Sequence, residues 1–117
     1  MTSLYYNNLE SITNTTVRWV DGGVSVTLDD VLKLSSETKS VNPNIFKHLL
    51  IDVDRDKSRV DDADLSYPIL VSVKEGVTTK ILDGQHRVVK AMRDNQSIKV
   101  RYLNLDTATN EMKQLFN

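Results

Sequence analysis

The chain has no cysteine among its 117 residues. Disulfides, thiolate catalysis and zinc–thiolate sites are therefore excluded, and the composition fits a reducing compartment. Glycine and proline are scarce, at four and two residues, and there is no internal repeat or low-complexity tract. No charge of one sign dominates: the formal net charge is -1. DNA-binding domains usually carry a basic excess, so the total gives no signal for nucleic acid and leaves only a local basic patch open. No apolar run is long enough to cross a bilayer. The opening MTSLYYNNLESITNTT has neither the basic start nor the apolar core of a signal peptide. These absences point to a soluble, cytoplasmic chain with no membrane partner. Hydrophobic residues make up 39% and charged residues 26%, a globular balance. A chain of this length can bury one modest core without staples.

Residues 1–15 are polar and rich in Asn and Thr, and read as an arm or as a short helix around Leu4 to Ile12. Residues 16–117 read as a single domain. Val17 to Val20 alternates as a strand, Asp21-Gly22-Gly23 is a turn signal, and Val24 to Val26 returns. Thr27-Leu28-Asp29-Asp30 resembles a capping box with Asp in place of Glu, which predicts a helix with Val31, Leu32 and Leu34 inward and an end at Ser35-Ser36. Asn42-Pro43-Asn44 opens another helix, with Ile45, Phe46, Leu49 and Leu50 as its buried stripe. The charged stretch Asp52 to Asp64 reads as a surface loop holding one helical turn.

Ile69 to Val73 and Thr78 to Leu82 read as a hairpin about Glu75-Gly76. A helix follows from Gln85 to Arg93, with Asn95 as its left-handed C′ residue. Ile98 to Leu105 is a further strand, and Asp106 or Thr107 caps a last helix ending near Phe116. This order specifies an α+β fold, a small mixed β-sheet with flanking helices. The strand after the Gln85 helix must return to the same sheet, which implies a parallel crossover.

The candidate site is Asp83-Gly84-Gln85-His86-Arg87, on the seam between strand and helix. A helix N-terminus presents backbone N–H groups and partial positive charge, a natural place for phosphate. Gly84 would let a ligand approach the backbone, and Arg87 carries a fork suited to phosphate oxygens. His86 is a donor or an acid/base group, Gln85 can orient a ligand, and Asp83 can order the turn or hold a magnesium ion through water. An ordinary turn followed by a solvated first helical turn explains the same residues, and both readings stay open at this level.

The stretch "YPILV…TKILDGQHRVVKAMRDN…IKVRYLNLD" resembles the core of the ParB/sulfiredoxin-like superfamily. Pro68, Ile69 and Val71 match the family's first strand, Asp83, Gly84, His86, Arg87 and Ala91 its Asp-Gly turn and helix, and Ile98, Val100 and Asp106 its later strand. Val24 to Val31 also looks like its opening strand and first helix. The resemblance implies a ParB/sulfiredoxin-like fold that binds a nucleotide triphosphate, ATP or CTP with Mg2+, through Gly84, Gln85, His86 and Arg87. His86 and Asp83 are its implied catalytic residues in an NTPase or in kinase-like phosphoryl transfer. Sulfiredoxin chemistry needs a cysteine where this chain has Gln85. The short tail after Asp106 leaves no room for the helix-turn-helix that follows this core in ParB proteins. The family's polar-Arg box before the central strand is not recognisable, although Arg55 and Arg59 lie in its region.

Two other function classes are compatible with the sequence. One is a non-catalytic module contacting protein or DNA, of the kind found in phage, mobile-element or defence settings; the other is a ParB-like nuclease. Lys90, Arg93, Lys99 and Arg101 are the candidate basic strip for DNA, with a solvated face as the plain alternative. Glu37, Asp52 and Asp54 are outside candidates for a nucleotide-bound metal. His48 reads as a partly buried structural histidine and Trp19 as core.

Overall fold

A computed structural model describes residues 3–5, 18–50 and 57–117. It is an α+β protein with two sheets and flanking helices. The first sheet has three antiparallel strands, β1 (Ser3–Tyr5), β2 (Arg18–Asp21) and β3 (Val24–Thr27). Ser3 opposite Val20 and Tyr5 opposite Arg18 set the register of β1. Leu4 thus lies in a strand and does not start a helix; the rest of that expected helix falls outside the described residues. β2 and β3 turn through Gly22 and Gly23, both with positive φ, the backbone that a two-residue hairpin matched to strand twist requires.

Thr27 closes β3 and caps α1 (Leu28–Leu34). Its Oγ1 accepts from the Asp30 amide at 3.1 Å, and Asp30 accepts from the Thr27 amide at 3.2 Å, so the Asp variant of the capping box closes as the sequence implies. Leu28 and Val31 are buried, but Leu34 is 49% exposed. Three residues beyond Val31 the helical rotation carries it past the edge of the inner stripe.

The second sheet has the order β4-β7-β5-β6: β4 (Lys39–Val41), β5 (Ile69–Lys74), β6 (Val77–Asp83) and β7 (Ile98–Asn104). β5 and β6 form the expected hairpin, and β7 returns parallel to β5. Between them runs α3 (Gln85–Arg93), with the bounds read from the sequence. Its end is a Schellman motif: Gln96 N–H reaches Ala91 O at 2.9 Å, Asn95 N–H reaches Met92 O at 3.3 Å, and Asn95 has φ 54°.

The segment from Pro43 to Leu49 is a 3₁₀ helix, not an α-helix. Its three-residue turn aligns Pro43, Phe46 and Leu49 inward and leaves Ile45 and His48 outside. The predicted stripe fails at Ile45 for that reason, and His48 is exposed where a partly buried histidine is expected. α2 (Lys57–Asp62) is the single helical turn of the charged segment, and residues 51–56 lie outside the description. α4 (Asn110–Phe116) starts at a Thr109 cap, later than Asp106 or Thr107. Asp106 instead accepts from the Glu75 amide at 2.8 Å and pins the β5–β6 turn.

The four-stranded sheet separates two cores. Trp19, Val31, Leu70, Leu82, Leu103 and Phe116 contribute to one, with β2, β3, α1 and α4. Phe46, Ile69, Val71, Ile81, Val88 and Val100 contribute to the other, with α3 and the 3₁₀ helix. Burial on both faces accounts for the near-continuous apolar run of β5.

Candidate functional site

β6 ends at Asp83, and Gly84 is the N-cap of α3 with φ 103° and ψ 26°. A Cβ at Gly84 would sit 2.6 Å from Ile69 Cγ2 and 3.1 Å from Arg87 Nη2. The position therefore excludes a side chain twice, by backbone conformation and by contact with β5. Glycine also supplies no side-chain cap. The first helical bond runs from Val88 N–H to Gly84 O at 3.1 Å, so the amides ahead of Val88 find no acceptor within the helix.

The side chains divide by burial. Arg87 is 1% exposed and Asp83 4%. Arg87 Nη2 donates to Asp83 Oδ1 at 3.2 Å, and Nη1 donates to the Pro68 carbonyl at 2.8 Å. Its Nε is buried with no acceptor among the described residues. The guanidinium thus clamps the β6–α3 turn to the start of β5, and in this structure its fork faces protein groups. Such a buried pair fixes geometry more than it adds net stability, because both charges lose their hydration. Gln85 and His86 are half-buried. The turn thus brings Asp83, Gly84, Gln85, His86 and Arg87 together, with Asp83 and Arg87 behind it and Gln85 and His86 towards the surface.

Gln85 opens onto a cleft of about 350 Å³. Its floor is the outer edge of β6 from Thr79 to Leu82. Trp19, Leu115 and Phe116 line one side, and His48 and Leu49 line the other. Trp19 packs edge-on against Phe116, with ring centroids 5.3 Å apart. Among the described lining residues the titratable groups are His48 and Lys80, and none is acidic. The sequence reading missed this cleft. Its walls come from opposite ends of the chain, and Lys80 was the one local signal, a cation inside a strand.

The four cations of the expected basic strip are engaged internally. Lys90 Nζ donates to the Asp61 and Ala63 carbonyls at 2.8 and 2.7 Å. Arg93 pairs with Asp94 and Asp61, which raises its pKa. Arg101 donates to the Ser36 and Leu32 carbonyls at 3.1 and 3.0 Å, and Lys99 to the Ser66 carbonyl at 3.4 Å. Lys57 and Arg93 hold the Asp61 carboxyl below its usual range, and Ser66 does the same for Asp64. Glu37 is exposed, and Asp52 and Asp54 lie outside the described residues. Among the described residues no group of three or more His, Asp or Glu gathers as a metal cage, and no helix is long and apolar enough to cross a membrane. Compared with family models, curated proteins and solved structures, the chain has no significant match.

Proposed function

We propose that the Asp83–Arg87 turn binds the phosphates of a nucleotide triphosphate, ATP or CTP carried with Mg2+, in a fold of the ParB/sulfiredoxin type. One observation carries the reading. The start of α3, whose N-cap glycine supplies no side-chain cap, opens at Gln85 onto a cleft lined by Lys80 and His48 and by no described acidic residue. Backbone amides, a helix dipole, the Lys80 ammonium and a histidine ring able to donate suit an anion. The resemblance of Pro68–Val71, Asp83–Ala91 and Ile98–Asp106 to that superfamily agrees with this placement.

The division of labour differs from a direct Arg fork. Arg87 and Asp83 are positioning residues that hold the turn. The Gln85 side chain and the helix-start amides meet the phosphates, and His86 is the half-buried group able to donate or carry a proton. Magnesium would come with the phosphates and keep most of its waters, since Asp83 is engaged with Arg87. Phosphoryl transfer needs mainly such placement and charge.

Burial of Asp83 and Arg87 against each other favours a second reading, nucleotide binding without turnover in a non-catalytic module. Calorimetric titration with ATP, CTP and GTP plus Mg2+, followed by a phosphate-release assay, distinguishes the readings. Binding with release supports the enzyme, binding alone supports the module, and no heat at millimolar nucleotide removes both.

A further inference from the structure

The cleft runs beyond the turn along β6, the outer strand of its sheet among the described residues. Four consecutive residues of that edge, Thr79 to Leu82, line it. An outer strand presents main-chain donors and acceptors that no neighbouring strand takes up, a template for a further strand. Here the edge lies between apolar walls from both cores. Leu82 belongs to the core of Trp19, Leu115 and Phe116, whereas Ile81 belongs to the other core, against which Leu49 packs. A strand laid along β6 would send alternate side chains to these two walls.

A second feature points to a ligand. Trp19 is 0% exposed, lines the cleft, and has an indole N–H with no acceptor among the described residues. A buried donor left without an acceptor carries a desolvation cost, which an acceptor brought to it would offset. Charge selects the partner. Lys80 is the one formally charged residue among the described lining, and none is acidic. A second copy of this chain would bring a second Lys80 to the same edge, so an acidic partner is favoured over self-pairing.

We propose that β6 receives an extended peptide by strand addition, a segment alternating apolar and acidic residues, whose backbone pairs with Thr79–Leu82 and supplies an acceptor to Trp19. The proposal needs only the β6 edge, Trp19 and Lys80; it shares the cleft with the nucleotide reading but does not rest on phosphate binding.

The test is a two-dimensional NMR titration without nucleotide, using the acetylated, amidated pentapeptide Val-Asp-Val-Asp-Val. Trp19 is the only tryptophan in the chain, so its indole resonance is a single unambiguous reporter. The expected result is a shift of that resonance together with the amides of Thr79 to Leu82. N-methylation of alternate peptide residues should weaken binding by about tenfold or more, because main-chain pairing is the source of affinity in strand addition. Lys80→Glu, at an exposed position, should weaken the acidic peptide about fivefold and favour its lysine counterpart. Three results overturn the proposal: no shift at Trp19 and β6 with millimolar peptide, shifts that survive N-methylation unchanged, or shifts confined to another surface. A failed nucleotide titration leaves this result unaffected, and the converse holds.

Discussion

Replacing Gly84 by alanine tests the geometry on which the site depends. The residue has φ 103°, and the new Cβ would lie 2.6 Å from Ile69 Cγ2 and 3.0 Å from Ile69 Cβ. Holding an L-residue in left-handed backbone costs about 1–2 kcal/mol. Forcing a methyl group into packed surroundings costs a further ~1–3 kcal/mol. Ile69 is fully buried at the start of β5, so the contact has no flexible end to yield. The expected loss is roughly 2–5 kcal/mol, a large share of the ~5–15 kcal/mol that holds a domain together. At about 4–6 °C per kcal/mol for a chain of this size, Tm should fall by roughly 8–30 °C. Circular dichroism measures both, the free-energy loss by urea denaturation and the Tm by heating. A double-mutant cycle with Ile69→Ala tests the contact: that background removes Ile69 Cγ2 but keeps its Cβ, so the alanine should cost less there than in the wild type while still costing at least the backbone part, about 1–2 kcal/mol. A Gly84→Ala protein within about 0.5 kcal/mol of wild type, or an equal cost in both backgrounds, would refute the reasoning.

Further outcomes follow from neighbouring contacts. Arg87→Met should cost about 3 kcal/mol or more, read by urea midpoint, because it removes the counter-charge from the buried Asp83 carboxylate. Asn95→Ala should cost about 1 kcal/mol while Asn95→Gly stays near wild type in Tm, since only the left-handed backbone at φ 54° is at stake. Stability should also depend on pH. Hydrogen bonds from Thr27, Lys57, Ser66 and Arg93 depress the carboxyls of Asp30, Asp61, Asp64 and Asp94 respectively. Depressed carboxyls contribute stability above their unfolded pKa and lose it as pH falls through the folded values. Urea midpoints should therefore decline on acidification through and below the ordinary carboxylate range, and Asp61→Asn should flatten that slope.

Much of the fold was legible because local chemistry announced it. The Thr27–Asp30 box, the Gly22-Gly23 turn, the Gly84 break and the Asn95 stop each close within a few residues of chain, where turn and cap rules act. The parallel return of β7 followed from the need to bring Ile98 to Leu105 back to the sheet. The misreadings have physical causes. β1 and β4 have three residues each, too few to show a period of two. The segment after Asn42 follows a three-residue turn, and helical spacing misplaced Ile45 and His48. Asp106 looked like a helix cap but is taken up by the Glu75 amide.

The candidate site was legible as a string and not as an arrangement. Asp83 to Arg87 marks the seam, and the structure brings the five residues to one turn. Burial of Arg87 depends on the Pro68 carbonyl, and no local rule reports that a guanidinium has a tertiary acceptor. The cleft was illegible for the same reason, because Trp19, His48, Lys80 and Phe116 meet only once both sheets are assembled.

The central claim is that an anion sits at the start of α3 beside Gln85. Gln85→Glu tests it most directly, because a carboxylate in the first turn of a helix is favoured by the dipole and should leave Tm unchanged or slightly raised. The same carboxylate would repel a triphosphate and weaken it about tenfold or more. Calorimetry with ATP and CTP plus Mg2+ on wild type and Gln85→Glu is the measurement. The account predicts binding by the wild type and its loss in a variant that is fully folded; no wild-type binding at millimolar nucleotide, or equal binding by both proteins, would contradict it.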